Sequence, residues 1–190
     1  MTNTDFLSRY EKELSTSLAA MLHDLGALEG ATAANGDPFI GSPDIDDRWL
    51  TIVQAYAADA VPEVAKYPLV SLGWAMYVGM AVAKFWDSDW TRYGQMAGLY
   101  EYVRDQRGFD YLDEVVRQDI LGLRGKDFER MERLVQSASE HVLTRIRRAN
   151  VEPATQDAYY VFLTSVHTLY RAGAAVVLEQ LGYHLSPQQA

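Results

Sequence analysis

The sequence predicts an all-α chain: one domain over 1–190, an antiparallel bundle of about six or seven helices. Three observations lead there. Apolar residues recur at spacings of three and four along most of the chain. No segment alternates apolar and polar residues as a half-buried strand does. Capping residues, prolines and glycines fall between the periodic segments, where helices start and stop. With 190 residues, 48% of them hydrophobic and 12% aromatic, a sizeable core forms without covalent staples. A single domain of this length has a radius of gyration of about 16 Å.

The first helix is expected over 4–28, with Leu7, Tyr10, Leu14, Leu18, Met21 and Leu25 on one face and Gly26 or Gly30 ending it. A Gly-, Pro- and Asp-rich loop, 29–45, follows, of a length that is usually functional or mobile. Ser42-Pro43-Asp44 starts the second helix, which carries Trp49, Ile52, Val53, Tyr56 and Ala60. Pro62 and Pro68 punctuate the chain. The third helix, 68–87, is apolar all round, and Leu72, Ala75, Gly79 and Ala83 give it a flat flank for close approach. Continued to 106 it would span roughly 60 Å at 1.5 Å per residue, too long for this domain. A break is therefore placed at Asp87-Ser88-Asp89, three good caps. A fourth helix to about Gln106, a short one from Phe109 to Leu123, and long ones over 127–150 and 153–183 complete the bundle. The last helix carries Tyr159, Phe162, Val166, Tyr170, Gly173, Val177 and Leu181 on its core arc. Residues 185–190 are expected to form a short flexible tail.

Charge narrows the function. A net charge of −9 and an isoelectric point near 4.8 repel phosphate backbones, so no nucleic-acid partner is expected. Arg145, Arg147 and Arg148 complement the negative end of a helix. There is no cysteine, which excludes disulfides, thiolate nucleophiles and Cys-based zinc sites. Pro68–Trp86 approaches membrane-spanning length but is interrupted by Ser71, Gly73, Gly79 and Lys84. A buried core helix explains it better. Residues 1–14 lack the apolar run of a signal peptide. A cytoplasmic protein without membrane association is expected.

Catalytic and metal motifs are sparse. Closely spaced glycines at a strand-to-helix turn are absent, as is the nucleophile elbow. None of His23, His141, His167 and His184 has a Glu three residues before it, and no two share helical ligand spacing. Met21-Leu22-His23-Asp24-Leu25-Gly26 resembles the His-Asp signature of HD-domain metal phosphohydrolases over six residues of 190. That family needs a metal-binding His upstream, and none precedes His23. His23 also falls with Arg9, Lys12 and Thr16, opposite the apolar stripe, so the chain is not assigned to the family. Asp37, Asp44, Asp46 and Asp47 do not meet the spacing of a calcium loop. No metal or cofactor is expected.

Two polar groupings stand out. Phe85-Trp86-Asp87-Ser88-Asp89-Trp90, with Arg92 and Tyr93 after it, sets carboxylates among tryptophans, a setting that can raise their pKa. It also suits an inter-helix corner in which the acids cap helix ends or pair with Lys84 and Arg92. Tyr160, Thr164, His167 and Arg171 form a stripe on the shoulder of the last helix, either a proton carrier with an anion-positioning cation or a hydrogen-bonded seam. Tyr77 and Lys84 lie to one side of the third helix. The leading expectation is a non-catalytic bundle acting through a homodimer, another protein partner or a small ligand. The alternative is a small-molecule enzyme whose acid/base pocket joins Asp87 and Asp89 to His167 and Arg171. A ligand sensor working through the 29–45 loop is a third.

Overall fold

A computed structural model of the chain describes residues 3–30, 32 and 35–185. Those residues form seven α-helices and no strand: α1 Asn3–Asp24, α2 Pro43–Ala60, α3 Pro68–Tyr93, α4 Leu99–Arg104, α5 Leu112–Glu114, α6 Gly125–Arg148 and α7 Gln156–Gln180. Single 3-10 turns, Val61–Glu63 and Phe109–Tyr111, precede α3 and α5, and α5 runs directly into a π-helical stretch, Val115–Ile120. The fold is an all-α bundle.

Side-chain pairs fix the helix directions. Asn3 bonds Asp157 and Tyr10 bonds Ser165, so α1 and α7 run the same way. Glu13 meets Arg145 and Ser17 meets His141, so α6 runs against α1. Ser71 bonds the Ala60 carbonyl at the end of α2, while Arg48 near its start reaches the Tyr93 carbonyl at the end of α3, so α2 runs against α3. Tyr170 bonds the Ile45 carbonyl and His167 stacks on Trp49, so α2 runs against α7. The long helices thus alternate along the chain, and α1, α3 and α7 share one direction.

The centre is the pair α3 and α7, the most extensive helix contact. Gly79 lies on the backbone carbonyl of Tyr170, and Gly173 on that of Met76. The flat flank read in the sequence is where two backbones meet. Both helices are long and apolar enough to cross a membrane, but 72% and 78% of their most apolar windows are buried inside the bundle. Helices apolar all round are what such a centre requires.

Several boundaries differ from expectation, each for a local reason. Gly26, at φ 75°, turns the chain early; Leu22 is then buried while Leu25 is 55% exposed. Tyr159, one turn into α7, is likewise exposed. The helical path of α3 breaks at Asp89 (φ −160°, ψ 72°), and its carboxylate accepts the Arg92 N–H at 3.2 Å, a cap for the turn beyond. The following helix is shorter than expected because the segment from Gly94 to Gly98 does not continue it. In place of a regular 109–123 helix stands the 3-10, α and π sequence, whose wide turn carries Arg117 into the interior at 2% exposure. The last helix begins at Gln156 because Thr155 takes the cap position, accepting the Ala158 N–H at 3.2 Å.

Thr155→Ala should cost about 1 kcal/mol, read as a lower urea midpoint with an unchanged slope; an unmoved midpoint would show that the cap carries no stability. Part of the 29–45 loop is packed: Phe39 and Ile40 are buried, and Asp37 accepts the Phe39 N–H at 3.0 Å. Of the expected tail, Leu185 is half-buried, and 186–190 lie outside the described residues.

Candidate functional site

The stripe on α7 shares one face, as its spacing requires, but its members have separate neighbours. His167 is half-buried and stacks on Trp49 at 5.4 Å with 14° between the planes. Burial, then the nearby Arg171 cation, push its pKa down to about 4, so the ring is neutral at pH 7. Arg171 pairs with Asp37 and covers the Phe39 ring at 5.6 Å, pinning the loop to α7. Tyr160 is exposed and accepts from Gln156 at 3.0 Å. The Thr164 carbonyl accepts the Thr168 hydroxyl.

The tryptophan corner is elsewhere. The exposed Asp87 accepts the Tyr183 hydroxyl at 2.8 Å, Asp89 caps its own turn, and Trp90 faces the Arg48 guanidinium at 5.9 Å. Arg48 also donates to the carbonyls of Tyr93 and Met96. The end of α7 is about 14 Å beyond Arg171 at 1.5 Å per residue, and Tyr183 lies past it. Asp87 and Asp89 therefore keep different company from His167 and Arg171. Lys84 is half-buried with no hydrogen bond or ion pair among the described residues.

Tyr77 leads to a site the sequence did not disclose. It is buried on the α6 side of α3, with the Arg117 guanidinium 5.7 Å from its ring. Arg117 binds Asp113 at 2.7 Å and Glu132 at 3.5 Å. It also donates to the carbonyls of Asp113 and Phe128 and lies 3.9 Å over the Phe128 ring. Burial raises the pKa of the Asp113 carboxyl, and Arg117 holds that rise back. Burial also pushes the Tyr77 phenol up. The one trace in the sequence is a charge set among Val115, Val116 and Ile120, four residues after an aspartate.

Tyr77, Asp113 and Glu132 line a cavity of about 190 Å³ between α3 and α6, with Leu69, Val70, Trp74 and Gln136. A second cavity, about 470 Å³, shares Leu69 and Val70 and extends the same cleft outward. Lys66, Tyr67 and Pro68 form its α3 side; Glu140, Leu143, Thr144 and Arg147 form its α6 side. Gln136 donates to Glu140 at 3.1 Å, linking the two. Lys66 and Arg147 have no acid partner among the described residues. The start of α3 has Pro68 in its first turn and no side-chain cap, so the positive end of its dipole lies at this cavity. Both aliphatic hydroxyls of the cleft are spent on their own helix: Thr144 donates to the Glu140 carbonyl and Ser139 to the Val135 carbonyl. Neither is paired with a base. The arrangement offers a mostly apolar lining with two cations, Lys66 and Arg147, and one carboxylate, Glu140, which accepts from Gln136. Among the described residues no three His, Asp or Glu side chains converge as a metal set.

Comparison of the chain with protein families, with curated proteins and with solved structures finds no match.

Proposed function

We propose that the chain is a non-catalytic, cytoplasmic helical bundle that binds a small amphiphilic acid, a carboxylate on an apolar body, between α3 and α6. The observation that carries this is the pairing of two unmatched cations, Lys66 and Arg147, with an apolar 470 Å³ cavity in a chain of net charge −9. Ligand cavities of about 300–1,000 Å³ with a few placed polar groups are the usual size and make-up. The cations receive the carboxylate, and Leu69, Val70 and Leu143 receive the body. The acid/base enzyme has less support, since its four residues keep separate neighbours.

The test is NMR titration with decanoate against decyltrimethylammonium. Decanoate should bind with a Kd of about 10⁻⁴ M, worth about 5.5 kcal/mol, and shift amides of 66–70 and 140–147. Arg147→Glu should weaken it about tenfold or more, the value of one charge-assisted contact. Equal binding of the cationic amphiphile, or no effect of Arg147→Glu, rejects the proposal.

Self-association belongs to the same proposal, because Val61, Val64 and Tyr67, at 41%, 38% and 58% exposure, leave apolar side chains open in the segment that leads into α3. Sedimentation velocity at micromolar concentration, with and without decanoate, decides it; a monomer in both confines the function to ligand binding.

A further inference from the structure

A different cleft, of about 240 Å³, opens between α1 and the end of α6. Its walls carry Arg9, Arg145 and Arg148, and its floor is Phe6 and Tyr10. Arg145 pairs with Glu13 at 3.2 Å, while Arg9 and Arg148 have no acid partner among the described residues. Three guanidiniums thus face one carboxylate in a strongly acidic chain. The dipole of α6 accounts for Arg145 and Arg148, which sit in its last turn. It does not account for Arg9, on the second turn of α1, where no helix end calls for a cation. The floor is fixed: Tyr10 is 6% exposed, its hydroxyl bonds Ser165 at 2.8 Å, and Phe6 stacks on it at 6.4 Å.

We propose that this cleft binds a phosphoryl dianion, either inorganic phosphate or the phosphate of a small monoester. Guanidinium forks match two phosphate oxygens at once, and two charges answer the two unpaired cations where a monocarboxylate answers one. The aromatic floor favours a monoester with a flat organic group. This site is independent of the α3–α6 cleft: it lies on the α1 side of α6 and shares no residue with it.

His141 supplies a reporter. It lies one turn before Arg145 and bonds the Ser17 hydroxyl at 2.9 Å. Burial lowers its pKa, and Arg145 and Arg148 lower it further. A bound dianion offsets both cations and lets the imidazolium form more readily, so the His141 pKa moves up toward its ordinary value.

The experiment is an NMR titration of the full chain with inorganic phosphate and with phenyl phosphate, at ionic strength matched by sodium chloride. Saturable shifts over 6–13 and 145–149, with a rise of about half a unit or more in the His141 ring pKa, are expected. Arg9→Glu should weaken binding about tenfold or more with an unchanged circular dichroism spectrum, while Arg133→Glu, on the exposed face of α6, should not. Tighter binding of phenyl phosphate assigns the site to a monoester, and equal binding assigns it to the inorganic ion. Shifts that chloride reproduces, an unmoved His141, or indifference to Arg9→Glu overturns the site.

Discussion

Arg117→Met should destabilise the fold by about 3–5 kcal/mol at pH 7, the usual cost of removing one member of a buried ion pair. The guanidinium is 2% exposed, and Asp113, its closest partner, has a side chain only 15% exposed. Without Arg117 a carboxylate remains in an apolar setting with its strongest counter-charge gone. Methionine fills most of the volume, so the loss is electrostatic more than steric. Glu132 matters less, because at 58% exposure water replaces its partner. The pH dependence carries the diagnosis. Asp113 has a raised carboxyl pKa in the folded state, so between its ordinary and folded values the native chain binds more protons than the unfolded one. Stability there falls as pH rises. Removing Arg117 takes away what holds the shift back, and the window extends upward. The deficit of Arg117→Met should therefore shrink between pH 7 and pH 5, measured as the urea midpoint at each pH. Adding Asp113→Asn should recover most of the loss at pH 7. A deficit independent of pH, with no recovery in the double variant, would mean that Arg117 acts by packing alone.

Most of the fold was legible because periodicity and punctuation agree along this chain. The break at Asp89 could be read from two ordinary facts: three capping residues in a row, and a helix otherwise longer than the domain. The close flank of α3 could be read from Gly79 among alanines. What was illegible depends on which helix faces which. Helical spacing puts the polar stripe of α7 on one face, yet the same pattern fits a site or a seam, and its partners, Trp49 and Asp37, come from distant segments. Arg117 escaped notice because a charge on a short apolar helix reads as an exposed residue until a π turn rotates it inward. Lys66, Arg147 and Arg9 are unremarkable as sequence. Only the antiparallel course of α6, with α3 on one side and α1 on the other, collects them into two clefts.

Gly79→Ala should cost about 2–3 kcal/mol and lower Tm by about 4–12 °C in a chain of this size. A methyl group there meets the carbonyl of Tyr170, a backbone group that cannot swing aside as a side chain would. The helices must separate, opening the contact along the centre of the core. Alanine's higher helix propensity returns about 1 kcal/mol, which is why the net cost is not larger. Gly173→Ala strikes the carbonyl of Met76 in the same contact. The double variant should then cost less than the sum, because the first methyl has already parted the helices. Gly41→Ala is the control: its nearest neighbour would be an Asp46 oxygen at 3.5 Å, an ordinary contact.

Separation also has a direction. α3 is held by α7 at Gly79 and by α6 at Gly73, which packs on Ser139 and Val135. Displaced from α7, it moves toward α6 and narrows the cleft that Leu69 and Val70 help to form. Decanoate binding should weaken in Gly79→Ala although no lining residue has changed. Loss of stability with affinity intact would show that α3 yields along its own axis, and that the cleft does not depend on its distance from the core.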